Sequence, residues 1–145
     1  MTRQPPVGLT HRMTYVVPPT KTVPHVFDDS AAFAAMPKVF ATAFLVGLFE
    51  RACLEAVMPY LDWPTEQTVG THIDVTHSAA TPPGMTVTVD VELSTIDRRR
   101  LVFDVTANDG IDEISRGRHE RFVIDAATFA ATAASKVVRN DGTPP

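Results

Sequence analysis

Glu50, Thr42 and His77 are the three side chains whose neighbours in the sequence point to chemistry as well as to packing. Glu50 shares a helical stripe with Ala43, Val46, Cys53 and Val57, all of them apolar. Burial disfavours a charged carboxylate, so Glu50 needs either supporting donors or a solvated, reactive setting. A structural carboxylate satisfied by such donors is the plain alternative. Thr42 lies two helical turns earlier on roughly the same side, although most helical threonines simply bond the preceding turn. In Ile73-Asp-Val-Thr-His-Ser-Ala79 the odd positions face one way, which places His77 with Ile73, Val75 and Ala79. It is either a core histidine held by a carbonyl or a proton carrier. A hydroxyl, a carboxylate and an imidazole together cover a nucleophile and a general acid or base. One helix stripe and one strand face are expected to bring the three to a common cleft.

Other polar groups read as ordinary surface or core. Arg51 and Glu55 are spaced as a surface ion pair on a helix. His72 points away from His77, so the two make no metal site, and HExxH, CxxC and HxH are absent. So are GxSxG, GxxxxGK[ST] and GxGxxG, which argues against an α/β-hydrolase, a P-loop NTPase and a dinucleotide enzyme. Cys53 is the lone cysteine and reads as a reduced, buried side chain. Arg98-Arg-Arg100 reads as a solvated hairpin turn in preference to a phosphate contact.

The elements that must carry these residues follow from periodicity. Met13–Val17 is strand-like and stops at Pro18-Pro19. A short helix over Ser30–Met36, capped by Ser30, lies in a segment that resembles a mobile cover. Lys38–Leu61, closed by Pro64, is one long helix, apolar nearly all round and therefore expected to be wrapped. Val69–Ala79, Thr86–Leu93, Leu101–Ala107 and Glu113–Ile124 alternate as half-buried strands and are expected in meander order, with Asp97–Arg100 as a hairpin connection. Ala126–Lys136 reads as a short helix. The expected architecture is α+β: one long central helix wrapped by a curved antiparallel sheet of about five strands. Residues 1–145 form a single domain, with 1–12 and 137–145 as loose termini.

The composition fits that picture. The 145 residues are 44% hydrophobic and 21% charged, within the globular range. A net charge of -4 with both signs interspersed offers no field for a nucleic acid. The beginning lacks the apolar run of a signal peptide, and no stretch reaches membrane-spanning length, so neither a nucleic-acid nor a membrane partner is expected and the protein reads as cytoplasmic. Five strands on one helix leave apolar surface, which predicts a homodimer.

Several segments are shared with a known group. Lys38-Val-Phe-Ala-Thr-Ala-Phe-Leu-Val-Gly-Leu-Phe-Glu50, Gly70-Thr-His-Ile-Asp-Val-Thr-His77 and Ser78-Ala-Ala-Thr-Pro-Pro-Gly84 are the longest of them. With Val16-Val-Pro-Pro19, Lys21-Thr-Val23, Asn108-Asp-Gly110 and Gly117-Arg-His-Glu-Arg121, they closely resemble the fluoroacetyl-CoA thioesterase group of the hotdog superfamily. The resemblance implies hydrolysis of small acyl-CoA thioesters by a catalytic Thr42, Glu50 and His77. It also implies Gly70 near the thioester carbonyl, Arg121 near the acyl group, and Val23, Val26, Phe33 and Met36 as a lid over the acyl pocket. It implies no cofactor, coenzyme A being part of the substrate. The member specific for fluoroacetyl-CoA carries phenylalanine where this chain has Met36, so the implied substrate is a class of small acyl-CoA thioesters. A non-catalytic acyl-CoA sensor and, third, an enoyl-thioester hydratase are the rival readings on the same scaffold.

Overall fold

The computed structural model describes residues 1–140; the part of the expected loose tail at 141–145 lies outside the described residues. The chain runs β1 (Thr10–Val16), α1 (Ala31–Ala34), α2 (Thr42–Val57), β2 (Glu66–Val75), β3 (Thr86–Asp97), β4 (Arg100–Asn108), β5 (Glu113–Asp125) and α3 (Ala126–Asn140). Five antiparallel strands form one sheet in the order β1-β3-β4-β5-β2. Thr10–Arg12 therefore belong to a strand and residues 137–140 to a helix, not to loose termini.

The alternation in β3 and β4 does what its period requires. Val87, Val89, Val91 and Leu93, with Leu101, Phe103, Val105 and Ala107, are all buried on one sheet face. Leu45, Leu48, Phe49, Ala52, Cys53, Ala56 and Val57 of α2 pack against that face. Burial pushes the Cys53 thiol up to about 12, which keeps it protonated and inert. The opposite sheet face is solvated and carries the pairs Arg12–Asp90, Arg118–Asp104 and Arg100–Glu120, each of small energetic weight.

Two expectations need correction. Only β3, β4 and β5 form a meander: β2 lies at the far edge beside β5, and residues 76–85 carry the chain back across the sheet to β3. That crossing is made through Ser78 N–H to Ile114 C=O at 2.9 Å and Phe40 N–H to Thr81 C=O at 2.8 Å. The long helix also begins four residues late. Phe40 is bridged to Thr22, and Ala41 N–H donates to Lys21 C=O at 3.1 Å, so 38–41 are spent in extended pairing and Thr42 is the first helical residue. Among the described residues, no helix is long and apolar enough to cross a membrane.

Gly117 permits the closest approach in the sheet. A β carbon there would overlap the Asp74 carbonyl oxygen and crowd Val75 Cα, both backbone atoms that cannot rotate aside. Gly117→Ala is expected to cost about 3 kcal/mol by overpacking, lowering the melting temperature by roughly 10 °C. Thermal denaturation followed by circular dichroism checks this.

Candidate active site

Thr42 and His77 meet. Thr42 Oγ1 lies 2.7 Å from His77 Nδ1. The late start of α2 explains why: a threonine in the first turn has no preceding helical turn to bond, so its hydroxyl is free for the imidazole. His77 sits just past β2 in a segment pinned to β5 on both sides, by Thr76 N–H to Arg116 C=O at 3.0 Å and Ser78 N–H to Ile114 C=O at 2.9 Å. Their opening, about 270 Å³, is lined also by Val23, Val39, Phe40 and Ala79. No side chain caps α2 at Ala41, and the helix N-terminus adds positive potential here.

The His77 ring is held neutral. Its Nε2 is buried with no hydrogen-bond partner among the described residues. An imidazolium would need acceptors for both N–H groups, and burial pushes the His77 pKa below the ordinary histidine value. A neutral imidazole bonded to a hydroxyl is the arrangement of a general base with its nucleophile or water-holding partner.

Glu50 is elsewhere. Eight residues of α2 separate it from Thr42, roughly 12 Å along the helix, and it lines a second opening of about 370 Å³ with Val46, Gly70, Thr71, His72, Ile73 and His119. Its Oε1 lies 3.4 Å from Arg121 Nη1. The common cleft expected for all three groups is thus split within one chain into a Thr42–His77 half and a Glu50 half. A β carbon on Gly70 would stand 2.6 Å from Glu50 Oε1, so glycine is what leaves room for the carboxylate.

Arg121 is a buried cation, with Nε donating to Thr68 Oγ1 at 2.8 Å and Nη2 to Thr68 C=O at 2.7 Å. Burial lowers its pKa and the Glu50 charge opposes that shift. His119 was not singled out in the sequence. It is buried beside Arg121, and period 2 along β5 would have put both on the inward face. The segment expected as a lid, with Val23, Val26, Phe33 and Met36, runs before α2. Phe33 sits in α1, which Ser30 caps by accepting from Phe33 N–H at 3.2 Å. Phe33 also packs edge-on to Phe27 at 5.1 Å, while Met36 is exposed. Arg98 and Arg99 form the hairpin turn, with Arg98 at φ 56°, and Arg100 opens β4 opposite Asp97. Among the described residues, no group of His, Cys, Asp and Glu could hold a metal ion.

Comparison with known proteins identifies the family and the fold. The family model of fluoroacetyl-CoA-specific thioesterase (FlK) matches residues 21–127. The fluoroacetyl-CoA thioesterase of Streptantibioticus cattleyicolor is 52% identical over 130 residues, covering 90% of this chain and 93% of that protein. A crystal structure of an FlK variant in complex with acetyl-CoA superposes with a TM-score of 0.88 at 51% identity, covering 90% of this chain and 98% of that one. A hot-dog-like protein from Thermanaerovibrio acidaminovorans shares the fold, with a TM-score of 0.76 at 23% identity over 95% of both chains. The sheet wrapped on α2 is the hotdog fold, and the chain belongs to the fluoroacetyl-CoA-specific thioesterase family.

Proposed function

We propose that this chain hydrolyses small acyl-CoA thioesters to the free acid and coenzyme A, with His77 as general base and acid beside Thr42. The 2.7 Å contact of Thr42 Oγ1 with a neutral His77 carries the reading. His77 takes the proton from Thr42 or from a water that Thr42 holds. The oxygen so activated attacks the thioester carbonyl, and the proton passes to the departing coenzyme A sulfur; where Thr42 itself attacks, a water deprotonated by His77 then cleaves the acyl-threonine ester, releasing the acid and returning the proton to Thr42. The oxyanion that forms in between needs preorganised donors, and the backbone N–H near Gly70, close to Glu50 and Arg121, is one. Thiol release from acetyl-, propionyl- and fluoroacetyl-CoA tests the proposal; saturable binding without thiol release would favour a sensor, and water addition to an enoyl thioester a hydratase. Trapping a labelled acyl group on Thr42 or Glu50 separates covalent catalysis from direct attack by water.

The working unit in this reading is a homodimer. Gly70–Asp74 of β2 are exposed on a free sheet edge that carries neither lysine nor proline as a guard. Within one chain Gly70 and His77 stand roughly 23 Å apart along the strand. Antiparallel pairing of β2 with a second copy, centred between Ile73 and Asp74, sets Gly70 opposite the other copy's His77, at a strand spacing of about 5 Å. The Glu50 half of one protomer then faces the Thr42–His77 half of the other.

Acyl preference follows from the lid. Met36 is flexible and exposed, so Met36→Phe is expected to narrow the pocket and lower propionyl relative to acetyl turnover by about tenfold, the scale of one methylene in a closed pocket. The ratio of kcat/KM values for the two thioesters measures it.

A further inference from the structure

We propose that His119 is a positioning residue that aims Glu50 through Arg121, a role that rests on the reading of Glu50 as part of the reacting site. The hydrogen-bond directions fix the chain of action. His119 Nδ1 lies 2.8 Å from His72 C=O. A carbonyl only accepts, so Nδ1 carries the ring proton. The neutral ring then turns a bare Nε2 toward Arg121 Nη1 at 3.1 Å, where the guanidinium must donate. Nε and Nη2 of Arg121 are already committed to Thr68. Three acceptors therefore lock the guanidinium plane, and Nη1 extends toward Glu50 Oε1 at 3.4 Å.

Glu50 depends on that lock because little else holds it. Its side chain is 45% exposed against 6% for Arg121, and among the described residues its carboxylate has one hydrogen-bond partner, Arg121. A three-carbon side chain is aimed by its polar anchors once apolar neighbours are few. Remove the Nε2 acceptor and one Nη1 N–H has no partner in a buried site, so the guanidinium turns to find one and its hold on the carboxylate shifts. His119 also borders the opening that Glu50 lines, so an effect carried through Arg121 is told from a direct substrate contact by falling on kcat and not on KM.

Asparagine and glutamine divide the two halves of the ring. Glutamine can place an acceptor near Nε2, whereas asparagine reaches only the Nδ1 position and restores the bond to His72. In thiol-release kinetics His119→Asn is expected to lower kcat by about tenfold to 10²-fold, the scale of a misplaced reacting group, with KM changed less than about twofold. His119→Gln is expected to recover most of that loss. In a Glu50→Gln background His119→Asn should add nothing further, as for residues acting as one unit. Equal activity of both His119 variants with the wild type, equal losses in both that follow melting temperature, or an additive loss in the Glu50→Gln background would each overturn the proposal. A fully active Glu50→Gln alone would instead remove the reading of Glu50. The wild-type protein gives a check that needs no variant: ring nitrogen-15 NMR should show His119 neutral and protonated at Nδ1, and a proton at Nε2 would refute the arrangement.

Discussion

Replacing His77 by alanine is expected to lower thiol release from the best acyl-CoA substrate by about 10²–10⁴, the contribution of a positioned general base. The fold should survive, because His77 is only half-buried and its ring bonds one side chain, Thr42. The pH dependence carries the stronger test. Burial lowers the His77 pKa from the ordinary 6.5, so the neutral, proton-accepting form predominates at neutral pH. Activity is kept above 6.5 and lost as pH falls through the lower folded value. A kcat/KM profile with an acid limb below 6.5 agrees with this; a limb at or above that value, or near-normal turnover by His77→Ala, sinks the assignment. Stability follows the same sign for His119. Burial depresses its pKa, with Arg121 adding to the shift and the His72 carbonyl opposing it. The unfolded chain therefore takes up the proton first, and stability present above the unfolded value declines as pH drops below it.

The parts of this molecule governed by local period were readable from its residues. β3 and β4 announce themselves through Val87 to Leu93 and Leu101 to Ala107, since a residue facing the core must recur every second position. Thr42 and His77 were identified by where they fell in such patterns. What depended on long-range pairing was not readable. Nothing local in Glu66–Val75 says that it joins β5 and not β3, and the register shift between Gly70 and His72 is a case in point. Counting alternately back from His77 puts Gly70 on the outer face. The bulge inserts one extra residue, reverses the phase, and turns Gly70 inward with Thr68 opposite Arg121 and Val123. Glu50 stands out in the sequence as a carboxylate among apolar neighbours on its helix stripe. Its distance from Thr42 follows from helix rise alone, yet its partners, Arg121 and His119, come from a strand some seventy residues later.

Mixing two inactive variants is expected to restore catalysis. If the Thr42–His77 half of one protomer works with the Glu50 half of its neighbour, His77→Ala and Glu50→Gln are complementary defects. A dimer with one protomer of each kind holds one site with both defects and one site with neither. Random reassociation makes about half of all dimers mixed, each with one of two sites intact, so the pool should recover about a quarter of the wild-type rate. The parents, each with every site damaged, stay near their own residual levels. A site built within a single chain predicts no recovery at all, because each mixed dimer would then carry one protomer lacking its base and one lacking its carboxylate. The geometry favours recovery: roughly 12 Å of helix and 23 Å of strand separate the two halves in one chain, and β2, the element between them, lies at a free sheet edge. Breaking that edge gives the matching control. Ile73→Asp, at an exposed position in β2, should set a carboxylate opposite the other copy's Asp74, yield monomers by sedimentation and lose activity with Thr42, His77 and Glu50 unaltered.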